Sequence, residues 1–279
     1  MAAIDPRGSF DLRHAREFLA SFGPAGQRVG SDPDALTLAF APDGEDGVAL
    51  VRVTQSEPDG PVHVEGGHEA QVARILSLDV DATGWAAIVA ADPVLREIGP
   101  RRPVLFSSPY EAAAWSVLSA RTQVSQAVRL RERVVEAAGA VIEEGGVRHL
   151  PFPGPSALLG LGDELPAPAV KAQRLRAIAQ AALAGELDAE RLRAMAPEDA
   201  MEAVQTLPGI GPFYAALVVI RGAGAPDALA TGEPRVRRAT AQAYGDQALE
   251  DPEAFALHAE AWRPWRSWAS FALRATASA

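Results

Sequence analysis

The pattern of hydrophobic and polar positions changes about a quarter of the way along the chain. In the first part, apolar residues alternate with polar ones in three short runs, as is typical of strands with one buried face. These predicted strands are residues 35–41, 48–54 and 61–65, separated by Asp, Gly and Pro. A helical pattern precedes them and begins at Asp11, a suitable N-cap residue. The pattern predicts an N-terminal α+β domain comprising residues 1–72.

From Glu69 onward the apolar residues recur at helical spacing almost to the end of the chain. Ser108 followed by Pro109 combines a capping residue with proline at the first helical position, so a helix is predicted to begin there. Residues 151–168 are rich in Pro and Gly and are predicted to connect helices. The fold class is therefore mainly α. The expected helical subdomains are a central one, residues 106–228, and a second one built from residues 73–105 and 229–279.

Residues 207–221 predict two helices joined by a tight reversal. Pro208 cannot continue the first helix, and Gly209 and Gly211 can both take positive φ, so a tight reversal is predicted. The second helix is predicted over residues 213–220. Its exposed backbone N–H groups and its dipole would favour an anion such as a phosphate. The same segment also fits a plain connection between two packed helices.

The amino-acid composition excludes several classes of site. The 279 residues include no cysteine, which excludes disulfides, thiolate zinc sites and iron–sulfur clusters. His63 and His68 have no evident third ligand, so no metal and no cofactor is expected. No apolar run is long enough to span a bilayer and no secretory leader is evident, which favours a cytoplasmic protein without membrane contact. No heptad pattern stands out, so a monomer without an obligate protein partner is expected.

The net charge of −10 is unfavourable for binding a polyanion, but it is unevenly distributed. Residues 1–72 carry 12 acidic residues against five arginines, whereas the remaining residues carry 24 acidic against 21 basic ones. Any surface that binds nucleic acid must therefore be local and built mainly from arginine, because Lys171 is the only lysine.

Residues 207–215, Leu-Pro-Gly-Ile-Gly-Pro-Phe-Tyr-Ala, resemble the helix-hairpin-helix of the base-excision DNA glycosylase superfamily, most closely its 3-methyladenine DNA glycosylase II branch. Three further stretches agree with that branch in order and spacing: residues 118–125, 170–185 and 262–269. Together they cover roughly residues 70–275. The lack of cysteine excludes the cluster-bearing, endonuclease-III-like branch.

The resemblance implies the helix-hairpin-helix glycosylase fold, with two helical subdomains flanking a DNA-binding cleft. It also implies a nucleoid-associated enzyme of base excision repair that binds double-stranded DNA with a damaged base. Such an enzyme flips an alkylated purine, of the 3-methyladenine or 7-methylguanine type, out of the duplex and hydrolyses its N-glycosidic bond. The alternative is a catalytically weak or inactive protein that binds damaged or abasic DNA.

Two carboxylates are candidates for the catalytic group that the resemblance implies. The family carries an aspartate after the hairpin, and Glu233 stands at that place, directly before Pro234 at a predicted helix start. Glutamate is one methylene longer, and a displacement of about 1 Å can reduce a rate on the order of a hundredfold. Asp227 is the second, less favoured candidate.

Residues around the hairpin carry the remaining expectations. Family members that also cut the DNA backbone have a lysine where this chain has Phe213, so no lyase activity is expected. Phe213, Tyr214 and Trp268 are expected to form a pocket for an electron-poor base, although the first two also fit a hydrophobic core. Trp262, Trp265 and Trp268 recur at near-helical spacing, which is more typical of packing than of a cofactor site.

DNA contacts are expected at three places. Gln123 matches the family residue that fills the gap left by a flipped nucleotide, and Val124 is its apolar neighbour, although an exposed connecting loop would look similar. The full set of expected DNA-binding residues is Gln123, Val124, Leu207, Gly209, Ile210, Gly211, Arg235 and Arg238. Four further arginines are either phosphate contacts or solvated and paired side chains: Arg121, Arg129, Arg131 and Arg133.

Overall fold

A computed structural model describes residues 2–27 and 29–276. The strands are β1 (Ala2–Ile4), β2 (Ala35–Phe40), β3 (Ala49–Thr54), β4 (Val62–Glu65), β5 (Ile142–Glu144) and β6 (Val147–His149). The α-helices are α1 (Leu12–Ser21), α2 (Glu69–Ile75), α3 (Trp85–Ala91), α4 (Pro93–Ile98), α5 (Pro109–Ser119), α6 (Val124–Ala137), α7 (Pro155–Gly160), α8 (Ala169–Leu183), α9 (Ala189–Ala194), α10 (Pro197–Gln205), α11 (Pro212–Leu217), α12 (Pro234–Tyr244), α13 (Pro252–Ala259) and α14 (Arg266–Thr276). Short 3₁₀ turns cover Gly23–Ala25, Gly162–Glu164, Gln247–Glu250 and Glu260–Trp262, and α11 continues into a π-helical turn, Val218–Ala223. The mainly helical fold with an α+β N-terminal part is confirmed.

The N-terminal part is one antiparallel sheet covered by α1. Its strand order is β1-β4-β3-β2, and the alternating residues Val51, Val53, Val62 and Val64 are fully buried. Asp11 caps α1 by accepting a hydrogen bond from the Arg13 N–H, as its position predicts. The sequence did not predict β1, which pairs with β4 at the edge of the sheet.

The central core surrounds α5, which is buried along nearly its whole length because apolar residues occupy every face. Ser108 caps this helix, its hydroxyl accepting from the Glu111 N–H at 3.1 Å, as predicted. A third core joins residues 82–95 to residues 255–273, including Trp262, Trp265 and Trp268. The packing interpretation of these tryptophans is therefore confirmed.

Arg221, in the π-helical turn, links the three parts of the fold. Its guanidinium lies 4.9 Å from the ring centres of Phe18 and Phe22 and 5.1 Å from that of Phe271. It also donates to the Val104 carbonyl. Burial lowers its pKa to about 9, so the group still carries its proton at neutral pH. The end of the second hairpin helix is thereby fixed against α1 and α14.

Among the helices formed by residues 2–27 and 29–276, none is both long enough and apolar enough to cross a bilayer.

Candidate nucleic-acid interface

The reversal between α10 and α11 is held from inside by its apolar side chains. Leu207 and Ile210 are 8% and 5% exposed and belong to the central core, so only their backbone is available at the surface. Gly209 has φ +90°, in the region that favours glycine. Gly211 has φ −94° and ψ −179°, which any residue adopts, so only Gly209 uses the positive φ that glycine permits.

Two backbone N–H groups of this reversal donate no hydrogen bond to a residue that the structure describes. The Ile210 N–H donates to the Leu207 carbonyl at 3.1 Å. No residue in the described part of the chain accepts a hydrogen bond from the N–H of Gly209 or Gly211. Because Gly211 is also the N-cap of α11, both donors lie where a helix begins and an anion is favoured.

Helix α8 contacts both the reversal at Gly209 and the 120–123 loop, and neither contact was predicted from the sequence. A Cβ built on Gly209 would lie 2.7 Å from Cδ of Arg174, so that side chain packs directly over the reversal. One turn earlier, the ammonium of Lys171 donates to Thr122 Oγ1 at 2.8 Å and to the carbonyls of Ala120 and Leu118. Helix α8 thus fixes the reversal and the 120–123 loop to the same rigid element.

Replacing Gly209 with alanine is expected to destabilise the protein by about 1–3 kcal/mol, because φ +90° strains any side chain and the Arg174 side chain must move aside. Urea unfolding followed by circular dichroism measures the change. Gly211→Ala is the matched control, since its φ is ordinary and a Cβ there meets nothing within 4 Å. Its loss of stability should stay below about 1 kcal/mol, since the change only weakens the N-cap of α11. An equal loss in both variants would contradict this explanation.

The 120–123 loop and the start of α6 present the predicted insertion residues to solvent. Arg121 adopts φ +53°, which turns the chain sharply after α5. Gln123 is exposed as the N-cap of α6, and Val124 is 51% exposed. An exposed amide and an exposed apolar side chain therefore follow a loop that Lys171 holds in place.

The three predicted pocket aromatics lie in different environments. Phe213 is 42% exposed at the start of α11, and its ring centre lies 5.0 Å from that of Tyr214, edge to face. Tyr214 is half-buried against the central core and accepts a hydrogen bond from the Ser119 hydroxyl at 3.3 Å. Trp268 is 2% exposed, with its ring centre 4.7 Å from that of Trp265. The assignment of Trp268 to an open base pocket is therefore wrong, because its ring belongs to the third core.

Glu233 lies at the N-terminus of α12 with its side chain partly exposed. One carboxylate oxygen, Oε1, accepts from the Arg235 N–H at 2.8 Å, as in an N-cap. The preceding turn is fixed by two contacts: the Glu233 N–H donates to the Ala230 carbonyl at 3.1 Å, and the Arg237 guanidinium donates to the Thr231 carbonyl. Since Glu233 forms no ion pair with a described residue, its charge is available to a ligand.

Asp227 is engaged in a different way. Its carboxylate receives the Arg263 guanidinium at 2.7 Å and the Arg266 guanidinium at 3.0 Å through two nitrogens. The Arg266 side chain is 8% exposed, so Asp227 neutralises a mostly buried cation. These contacts give the less favoured catalytic candidate a structural role, joining the loop before α12 to the start of α14.

The predicted phosphate-binding arginines differ in their availability. Arg235 and Arg238 are exposed on α12, and neither forms an ion pair with a residue that the structure describes. Arg129 and Arg133 are likewise exposed, on α6. Arg131 is 2% exposed and paired with Glu111 at 2.7 Å, so it is not available to a phosphate.

Comparison with known proteins identifies proteins that are similar to this chain in sequence and in fold. No protein-family model matches the sequence. The DNA-3-methyladenine glycosylase of Bacillus subtilis (strain 168) is 30% identical over 152 residues, covering 52% of this chain and 50% of that protein. The chain therefore spans about half the length of the curated relative that it matches.

Two solved structures extend the similarity over almost the whole chain. The 3-methyladenine DNA-glycosylase from Archaeoglobus fulgidus superposes with a TM-score of 0.79 at 21% identity, covering 98% of this chain and 97% of that one. The 8-oxoguanine glycosylase/lyase of Clostridium acetobutylicum, in complex with double-stranded DNA, superposes with a TM-score of 0.69 at 16% identity, covering 100% and 98%. The chain has the fold of the helix-hairpin-helix DNA glycosylases, and the resemblance to that superfamily and its 3-methyladenine branch is confirmed.

Proposed function

We propose that this protein is a monofunctional DNA N-glycosylase of base excision repair, acting on alkylated purines of the 3-methyladenine and 7-methylguanine type. The observation that carries the proposal is the partly exposed, unpaired carboxylate of Glu233 at the start of α12, in a chain whose hairpin leaves two N–H donors free. A strand of DNA supplies phosphates for those donors, and its sugar supplies the centre on which the carboxylate acts.

The chemistry requires little beyond a positioned negative charge. Breaking the bond between C1′ and the base nitrogen leaves the bonding electron pair on the base and develops positive charge on the sugar. The Glu233 carboxylate stabilises that charge, and water adds through its oxygen to C1′ while Glu233, as general base, accepts its proton. The products are the free base and an abasic site. An alkylated purine is already cationic, so it leaves as a neutral base and needs the least assistance.

The exposed ring of Phe213 supports this choice of substrate. A base that is flipped out of the duplex stacks on aromatic or apolar side chains of the enzyme, and a positively charged purine is attracted to the face of an aromatic ring. Phe213 is exposed at the N-terminal turn of α11, close to the free N–H groups of the reversal. Tyr214 supports it from the core side, edge to face.

The positions of the amines support the proposed lack of lyase chemistry. An enzyme that cuts the backbone uses an amine to form an imine with the sugar. Phe213 stands where the lyases of the family carry lysine, and Lys171 is the only lysine in the chain. Its ammonium is already bonded to three oxygens around the 120–123 loop.

Incubation with methylated duplex DNA tests the proposal. We expect release of 3-methyladenine and 7-methylguanine, measured by chromatography, and strand cleavage only after alkali treatment of the product. Cleavage before alkali, or trapping of a covalent complex with borohydride, would overturn the monofunctional assignment. Tight binding of abasic or methylated duplex without any base release would instead identify the alternative, a binding protein in which the longer Glu233 side chain does not support turnover.

A further inference from the structure

A cationic cleft lies between α6 and α8, beside the 120–123 loop. Its volume is about 350 Å³, and Thr122, Gln126, Arg129, Arg133 and Lys171 line it together with the apolar Leu130 and Pro168. None of the described residues that line it is acidic. Three positive side chains therefore share one cleft in a protein with a net charge of −10. These side chains give the cleft a local positive charge that an anion would neutralise.

The two arginines have no partner within the described chain. Arg129 and Arg133 are four residues apart on α6, so their side chains lie on the same helical face and repel each other. Both are exposed, and neither forms an ion pair with a residue in the described part of the structure. An anion bound between them would turn this repulsion into attraction. The amide of Gln126 lies one turn earlier on that face and adds an uncharged donor.

Lys171 contributes positive charge on the α8 side of the cleft, but its ammonium already donates hydrogen bonds to other groups of the protein. They go to Thr122 Oγ1 and to the carbonyls of Ala120 and Leu118. Burial lowers its pKa, with Arg174 acting in the same direction. A ligand would therefore receive hydrogen bonds from Arg129 and Arg133, and only the longer-range field of Lys171.

We propose that this cleft binds a backbone phosphate of duplex DNA next to the loop that carries Gln123 and Val124. The inference rests on the proposed function, since it names where a second part of the same DNA is held. The geometry favours a phosphodiester over a small free anion because both guanidinium groups are exposed at an open cleft. Arginine pairs with phosphate through two parallel N–H donors, which suits this arrangement. Contacts of this kind position DNA without reading its sequence.

The salt dependence of DNA binding tests the inference. The logarithm of the binding constant is plotted against the logarithm of salt concentration for a duplex with an abasic-site analogue and for an undamaged duplex. We expect the slope to become shallower by about 1 for Arg129→Ala and for Arg133→Ala, and by up to about 2 for the double variant. The loss should be equal for both duplexes. Arg96→Ala is the matched control, because Arg96 is exposed on α4 and lies outside this cleft; its slope should equal that of the unmodified protein.

The outcomes separate this inference from the proposed function. If the unmodified protein binds DNA and the double variant keeps its slope, the cleft assignment is wrong while the glycosylase proposal stands. If the unmodified protein does not bind DNA, both are wrong. If the double variant keeps the salt slope, and inorganic phosphate raises the thermal stability of the unmodified protein but not that of the double variant, the cleft is a free-anion site instead. Should the alanine variants lose thermal stability, Arg129→Gln and Arg133→Gln repeat the measurement with the side-chain packing kept.

Discussion

Replacing Glu233 with glutamine is expected to slow base release by at least about a hundredfold, because the change removes the charge that opposes the developing positive charge on the sugar. Glutamine keeps the length of the side chain and its carbonyl oxygen still accepts from the Arg235 N–H, so the cap of α12 is retained. The rate of release of 3-methyladenine, measured in a single turnover with excess protein, isolates the chemical step from product release. Binding to an abasic-site analogue should change little.

Asp227→Asn provides the comparison that assigns the carboxylate. Asp227 neutralises Arg263 and the mostly buried Arg266, so its replacement is expected to lower thermal stability. Glu233→Gln is thus expected to lower the rate of base release, whereas Asp227→Asn is expected to lower thermal stability. If the rate falls for Asp227→Asn in protein that is still folded, while Glu233→Gln releases base at the original rate, the catalytic carboxylate is Asp227.

Local sequence signals determined which elements could be predicted. Asp11 and Ser108 marked helix starts correctly because capping depends on neighbouring residues alone. The reversal at Gly209 was visible for the same reason. Gly211 shows the limit of the argument, since a glycine permits positive φ without requiring it. The β5–β6 hairpin was missed although Gly145-Gly146 between two short runs is a recognised turn signal.

The site residues that were missed depend on contacts between distant parts of the chain. Lys171 reaches the 120–123 loop across about fifty positions, and Arg174 covers Gly209 from the same helix. No periodicity or spacing encodes such a contact. Trp268 fails as a pocket residue for a related reason, because its pattern indicates a buried face without showing which part of the fold covers it.

Glu111 and Arg131 form a buried ion pair between α5 and α6. The two side chains are 6% and 2% exposed and meet at 2.7 Å between α5 and α6. Glu111 also accepts from the Ser107 N–H at 3.1 Å, and Arg131 donates to the Leu150 carbonyl at 2.8 Å. Both charges are thus largely removed from water, and their pairing and these hydrogen bonds offset part of that cost. Replacing Glu111 removes the carboxylate partner of a guanidinium that is 2% exposed, and loss of one member of a buried pair is strongly destabilising.

Glu111→Gln is therefore expected to lower the free energy of unfolding by about 3–5 kcal/mol, which corresponds to a fall in Tm of roughly 10 °C for a chain of this size. Glu136→Gln is the matched control, because Glu136 pairs with Arg148 at the same 2.7 Å but both side chains are about half exposed. Its loss should stay below about 1 kcal/mol, since water screens and replaces an exposed pair. Urea unfolding of the two variants side by side measures the difference. Equal losses in the two variants would show that burial of the Glu111–Arg131 pair does not increase its contribution to stability.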